Sequence, residues 1–492
     1  MSGINIPKVL VGGDIFGLIT VGMYNNPLAI YREYIQNAAD AVATSDRVQS
    51  GKVEIKLDPA KLRVRIRDNG PGLSFDAALR TLLPIARSEK KWGTDRGFRG
   101  IGRLAGLAFA QSVTFITRTQ DDQRVIRIIW DGPSIRRSIA ENPQPERAIQ
   151  EGVTVETLSG AEWPAHFFEV EVSGVGRYAA GLLLNREAVR AYIGEVGPVP
   201  IAPQFPFASE VESLFGKDEA PLVLEVVLDG EVLPVTRRFD KMIRFSNGRE
   251  DRFADFEKID IPDVSGSGRA AIGWVAHSSY RGVIPKDAGI RGVRVRAGNI
   301  QVGDETIFDH LFPEDRFNRW CVGELHIVDP RIIPNGRRDY FEPGPHIRNL
   351  ENHVGVVARR IIKRCREVSA TRNKERKFQS ALHEVEEMYD LAASGYLSPK
   401  GAKTLAGKAL DRIQNIEEDA DILNGYTEEY LEKLDVLKRT LVSFRAKRDR
   451  LPFGSVPASE VRTYRKVFQA LAEVSPSPRT AKELMEAVLA RT

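Results

Sequence analysis

The chain has almost no cysteine: Cys321 and Cys365 are the only two in 492 residues. Two isolated thiols build neither a disulfide framework nor a four-ligand zinc site, so a reducing compartment is the default expectation. Histidine is also sparse, seven residues scattered along the chain, which argues against a histidine-held metal. No apolar run reaches the roughly 18 residues that a membrane-spanning helix needs. The N-terminal "MSGINIPKVLVGGDIFGLI" has no basic head followed by a long apolar stretch. These absences read together as a cytoplasmic, soluble protein without a membrane partner. Charge of one sign is lacking too: a formal +4 over this length is far from the lopsided balance of a dedicated nucleic-acid binder.

What is present is a 42% hydrophobic, 28% charged composition, that of a globular protein long enough for two to four domains. Residues 14–42 read as helix, with Pro27 suited to a helix start after the "YNN" break. "KVEIKLDPAKLRVRIRDNG" alternates apolar and polar residues about a turn at Asp58-Pro59, the pattern of a β-hairpin. Helical "SFDAALRTLLPIARS", glycine-rich "GTDRGFRGIGRLAGLAFA" and the strands "SVTFITRT", "RVIRIIW" and "GVTVETL" follow. The fold class is α+β, with an α/β sandwich over 1–185. The Pro-rich "EVGPVPIAPQFPFASE" reads as a linker. A strand-rich α/β domain is expected over 186–348 and a helical hairpin or coiled coil over 349–450. There Ala406, Ala409, Ile413, Ile416, Ala420 and Leu423 form one apolar stripe. Tyr430, Leu434, Leu437, Leu441 and Phe444 form another, after a break at Asn424-Gly425. A separate helical appendage is expected over 451–492.

"YREYIQNAADAV" raises the functional question. Glu33, Asn37 and Asp40 fall on one face of a helix, so that face is either solvated or aimed at something needing carboxylates and an amide. "RIRDNGPGLS" ends a strand at Asp68 and places Gly70 and Gly72 in a turn, where glycine admits close approach of backbone; by itself "DNG" is an ordinary turn. "GFRGIGRLAG" sets Gly97, Gly100 and Gly102 at the opening of a helix, where backbone N–H groups suit an anion such as phosphate. No Gly-Lys-Ser/Thr follows, so it is not a Walker loop.

In this order and spacing, the three elements resemble the GHKL ATPase superfamily, and within it the heat-shock protein 90 family. That resemblance implies an N-terminal GHKL (Bergerat) α/β sandwich, a second α/β domain of middle-domain or S5-like type and an α-helical C-terminal region. It implies ATP and Mg²⁺ as ligands and ATP hydrolysis, which the short lid between Lys91 and Gly97 is expected to make slow or partner-dependent. Asn37 would hold the metal through its amide oxygen. Asp68 would accept from the adenine amino group, beside Gly70 and with Gly72 letting the base lie on the backbone. Gly97, Gly100, Ile101 and Gly102 would cap the phosphates. Glu33 would orient or deprotonate the attacking water, and Asp40 would sit beside the nucleotide or anchor the helix. "IARSEKK" is similar to the family's segment supplying Ser88 and Lys91 beside the nucleotide. "EGVTV" resembles its later Gly-Thr element: Gly152 is kept, Val153 stands where threonine is expected, and Thr154 substitutes only with a shifted register.

"GELHIVDPRIIPNGRRDYFE" is similar to the family's segment carrying a catalytic arginine, here Arg338 with Arg337 as fallback. Such a guanidinium neutralises γ-phosphate charge and is worth on the order of 10³–10⁵ in rate in other NTPases; the alternative is surface ion pairing with Asp339 and Glu342. Lys286 is a weaker candidate. Two departures stand out: only five residues separate Lys91 from Gly97 where the family has a long lid, and nothing after residue 350 resembles its dimerisation domain. The resemblance implies a clamp acting on a protein client or partner, with a homodimer expected. The alternative is a clamp on nucleic acid, as in MORC-like or MutL-like proteins. Its support is the 359–377 stretch, in which nine Lys or Arg face two Glu.

Overall fold

The computed structural model describes residues 24, 26–45, 48–85, 102–141, 147, 150–216, 219–418, 428–445, 451–454 and 456–491. Ser88, Lys91, Gly97, Gly100 and Ile101 lie outside the described residues, as do Ala420, Leu423 and the break at 424–425. The chain forms two compact units, Met1–Lys363 and Arg364–Thr492. Among the described residues no helix is long and apolar enough to cross a membrane.

In the first unit, helix α1 (Ala29–Ala43) packs on a seven-stranded sheet. Its start is fixed by Asn26, whose Oδ1 accepts the Leu28 N–H at 3.0 Å. Ile30, Tyr31, Tyr34, Ile35, Ala38 and Ala39 are buried in the core, each large one contributing about 1.5–3 kcal/mol of transfer free energy. The expected hairpin is β1 (Lys52–Asp58) and β2 (Arg63–Asp68), antiparallel with Val53 opposite Asp68. Helix α2 (Phe75–Leu82) starts on the Ser74 side chain and ends before Pro84, which disfavours helix in the residue ahead of it. A 3₁₀ segment, Gly102–Ala108, leads into β3 (Ala110–Arg118) and β4 (Arg124–Asp131). Helix α3 (Gly132–Glu141) precedes β5 (Val153–Ser159) and β6 (Phe167–Val175). Helices α4 (Arg177–Leu183) and α5 (Arg186–Val196) follow, then the short α6 (Ala208–Glu212).

The sandwich does not end at residue 185. Strand β7 (Glu225–Leu228) returns to the first sheet and pairs parallel with β1, giving the order β5-β4-β3-β6-β2-β1-β7. Nor is the Pro-rich segment a linker: Val196, Val199, Ala202 and Phe205 are buried. A hairpin of β8 (Met242–Arg244) and β9 (Glu250–Arg252) precedes a five-stranded sheet. That sheet comprises β10 (Asp255–Pro262), β11 (Arg269–His277), β12 (Gly292–Ala297), β13 (Ile300–Val302) and β14 (Val322–Ile327), in the order β10-β11-β14-β12-β13.

A buried charge network joins this sheet to the end of α5. Arg296 donates to Glu324 Oε1 at 2.6 Å, to Gly197 O at 3.0 Å and to Glu195 O at 2.7 Å. Arg294 reaches Glu195 Oε1 at 2.5 Å, and Arg237 also pairs with Glu324. Burial pushes the Glu324 carboxyl up, but Arg237 and Arg296 outweigh it and hold it well below the usual range. The carbonyls ending α5 supply further negative potential to Arg296, which shares Glu324 with Arg237.

Helix α7 (Pro345–Ala393) runs without a break through the expected boundary at 348/349. In the second unit, α8 (Pro399–Glu418) buries Ala406, Ala409, Ile413 and Ile416. Helix α9 (Glu428–Val442) adds Leu434 and Leu441, and Phe378, Leu382 and Val385 of α7 complete that cluster. The C-terminal segment is no separate appendage. Helices α10 (Val461–Val474) and α11 (Pro478–Leu489) share a core, through Phe468 and Met485, with Leu391, Tyr396, Leu397 and Ala402.

Candidate nucleotide site

The polar stripe on α1 is not a solvated face. Asp40 and the neighbouring Gln36 are buried, and Glu33 and Asn37 are half-buried. The Glu33 carboxylate lies against Gly102: a β-carbon there would come 2.3 Å from Oε2. On its other side Glu33 pairs with Arg32 at 3.6 Å. The next residue, Tyr34, ties down the same 3₁₀ segment, accepting the Gly106 N–H at 3.0 Å and donating to Arg103 O at 3.2 Å.

The strand-ending turn folds back beside α1. Asp68 is buried and its Oδ1 accepts the Gly70 N–H at 2.8 Å. Burial raises its carboxyl to about 7, against the lowering effect of that N–H. A β-carbon on Gly70 would sit 2.7 Å from Asp68 Oδ1 and 3.3 Å from Ala41 Cβ, so glycine lets the turn close on the helix. Gly72 has φ +68°, and a β-carbon there would lie 1.9 Å from Arg118 O. The turn is pinned by two residues that sequence reasoning missed. Thr117 Oγ1 accepts the Leu73 N–H at 2.9 Å and donates to Phe167 O at 2.9 Å, and His166 Nδ1 lies 2.8 Å from Gly70 O. Neither carried a signal of its own: Thr117 is one of several polar residues along β3, and His166 precedes β6 in a loop.

Gly152 and Thr154 do not belong to this cluster. Thr154 is on edge strand β5, exposed and paired with Ile129, and β4, β3 and β6 lie between β5 and β2. Gly152 packs against Ile135 of α3. The strand beside β2 is β6, with Phe168 opposite Asp68. The expectation failed because two strands follow residue 152, and the second takes the central position.

The arginine pair reaches α1 from the other end of the unit. Residues 334–341 form a tight loop closed by the Pro334–Phe341 bridge and by Asn335 N to Tyr340 O at 2.8 Å. Arg338 is buried with φ +56°, and its carbonyl accepts the Gly303 N–H at 2.7 Å. Arg337 is exposed, yet its carbonyl accepts from Arg32 Nη2 at 3.2 Å. Asp339 accepts from Asn335 Nδ2 at 2.6 Å. Lys286 is largely exposed and pairs with Glu305 at 3.7 Å.

These residues fit an adenine nucleotide: a buried carboxyl acceptor beside a turn whose Gly70 and Gly72 leave no room for side chains, on the flank of a helix bearing an amide and a carboxylate. For Mg²⁺ the protein offers the Asn37 amide. Among the described residues no group of three His, Cys, Asp or Glu side chains is placed to hold a metal; a Mg²⁺ arriving with the nucleotide would draw on that amide and on phosphate oxygens.

Residues 27–158 match the family described as histidine kinase-, DNA gyrase B- and HSP90-like ATPases. The chain is 26% identical over 157 residues to the chaperone protein HtpG of Rickettsia canadensis, covering 27% of this chain and 25% of the relative. It is 29% identical over 137 residues to that of Shewanella pealeana, covering 23% and 22%, and 27% identical over 143 residues to that of Sulfurovum sp., covering 24% and 23%. The chain thus spans about a quarter of the length of the curated relatives it matches. Residues 27–158 form a GHKL-type ATPase domain with similarity to the heat-shock protein 90 family.

Proposed function

We propose that this chain is an ATP-binding and ATP-hydrolysing conformational clamp of heat-shock protein 90 type, Mg²⁺-dependent, homodimeric and acting on a protein client or partner. The observation that carries the reading is the Arg32–Arg337 hydrogen bond, which spans 305 residues of sequence and sets the arginine loop against the helix bearing Glu33.

Asp68 accepts from the adenine amino group, with Gly70 and Gly72 admitting the base to the backbone. Asn37 holds the metal, and Asp40 sits beside the nucleotide or anchors the helix. Ser88, Lys91 and the backbone of Gly97, Gly100, Ile101 and Gly102 receive the phosphates. Glu33 orients or deprotonates water. Arg338 neutralises charge that develops at the γ-phosphate, with Arg337 in reserve. Bound ATP supplies the free energy of closure and its hydrolysis permits release. The short lid shields the site incompletely and makes turnover slow. The helical second unit dimerises or holds the partner.

The nucleic-acid alternative rests on the basic 359–377 stretch, of which Arg360 pairs with Glu257. Steady-state hydrolysis with Glu33→Ala tests the ATPase reading: the variant is expected to bind ATP without turning it over, and unchanged turnover refutes the role. DNA stimulation that falls steeply with salt would favour the nucleic-acid clamp instead.

A further inference from the structure

We infer that Arg103 is a triphosphate-binding residue of the nucleotide site, an inference that rests on the ATP reading above. Arg103 directly follows Gly102, which faces the Glu33 carboxylate. Its backbone is held in place by α1, since its carbonyl accepts from the buried Tyr34 hydroxyl at 3.2 Å while that hydroxyl takes the Gly106 N–H at 3.0 Å. A methyl group at Gly106 would come 2.7 Å from Tyr34 Oη, so glycine there is what lets the phenol reach the backbone. Burial drives that phenol well above its usual range and keeps it protonated, able to donate and accept at once.

The Arg103 side chain is the anomaly. Its Nε and Nη2 are buried without a hydrogen-bond partner among the described residues. Burial lowers its guanidinium to about 10, and among the described residues no carboxylate raises it again. Glu33, the acidic residue beside Gly102, is engaged by Arg32 instead. Three buried guanidinium groups of this unit are matched, by contrast: Arg237 and Arg296 on Glu324, Arg294 on Glu195. A half-buried cation with donors left unpaired is unfavourable, and an anion entering the site relieves it. The planar guanidinium fork suits phosphate oxygens in particular. Arg103 thus supplies a fixed charge that strengthens binding of the charged end of the ligand without touching the base.

Calorimetric titration of the full chain and of Arg103→Met with ATP and with adenosine separates these two ends and needs no turnover. The expected result is an ATP Kd weakened about tenfold or more, in line with loss of a charged hydrogen bond, and an adenosine Kd changed less than about twofold. An unchanged ATP Kd, or equal weakening for ATP and adenosine, overturns the assignment, the second because it marks general disruption. Should the methionine variant fail to fold, Arg103→Gln carries the same outcomes with a polar group left in the buried site. A wild-type chain that binds no ATP overturns the nucleotide reading and this one with it. ATP binding that survives intact in the variant overturns the Arg103 assignment alone.

Discussion

The Oε2 atom of Glu33 occupies the place where a β-carbon on Gly102 would have to sit, the two being 2.3 Å apart. The contact is with the end of a flexible side chain, so adding a methyl group displaces the carboxylate and leaves the backbone in place. Gly102→Ala is therefore expected to keep thermal stability within about 1 kcal/mol of wild type. A misplaced general base is expected to lower kcat by about 10²-fold. Stopped-time ATPase assays beside a melting curve check this; wild-type kcat would show that Glu33 need not lie against the glycine.

Gly72 makes the opposite case. Its φ is +68° and the obstructing atom is the Arg118 carbonyl oxygen, 1.9 Å from an added β-carbon. Backbone cannot step aside as a carboxylate can. Gly72→Ala is expected to cost about 2–4 kcal/mol through strain and forced displacement of β3, measured as a shift of the denaturant midpoint. A stability equal to that of Gly102→Ala would refute the distinction.

Arg338 combines charge with a left-handed backbone, φ +56°, a conformation that glycine adopts freely and other residues do not. Arg338→Gly and Arg338→Ala both remove the guanidinium, but only glycine removes the strain. Both are expected to lose about 10³-fold in turnover with ATP binding retained. The glycine variant should be about 1 kcal/mol more stable than the alanine variant. Equal turnover in wild type and both variants would leave the loop a purely structural element.

How much of this was legible in the sequence depended on whether the signal was local. The β1–β2 hairpin declared itself through strict alternation about Asp58-Pro59. That Glu33, Asn37 and Asp40 share one helix face followed from spacing, and the turn after Asp68 from its glycines; their grouping as a nucleotide site came from the family resemblance. Where the fold uses long-range pairing, the sequence was silent. Nothing in "LEVVL" says that β7 crosses back to β1, because a short apolar strand suits either sheet. Gly152 and Thr154 were misplaced for the same reason: strand order, not motif order, decides which residue faces Asp68. The Arg294–Arg296–Glu324 network was hidden by alternation of charged residues in "VRVRA", which looks like a half-solvated strand until both faces are covered.

That network yields a stability prediction. Glu324→Gln leaves Arg237 and Arg296 buried with no anionic partner, and the expected loss is about 3–5 kcal/mol, read from urea denaturation. Because the folded-state carboxyl titrates well below its ordinary value, its contribution is fully present above the ordinary carboxylate range and is lost as the pH falls through the depressed value. Wild-type stability from this group should therefore be flat between about pH 6 and 8; a loss within that interval would refute it.

Asp68 titrates the other way and couples pH to the ligand. Its carboxyl rises from 3.8 to about 7 on burial, so between those values the folded chain keeps a proton that the unfolded chain has shed. Its stabilising contribution is fully present below the ordinary value and disappears as the pH rises through about 7. An adenine amino group donates, and it needs the carboxylate as acceptor, so binding at pH 6 must expel the proton. ATP affinity is expected to increase from about pH 6 to pH 8. Calorimetry at pH 6 in buffers of different ionisation enthalpy should report a released proton approaching one per nucleotide. In Asp68→Asn, which keeps an acceptor but has nothing to titrate, both the pH dependence and the buffer dependence should vanish. A wild-type binding enthalpy independent of buffer would separate Asp68 from the base altogether.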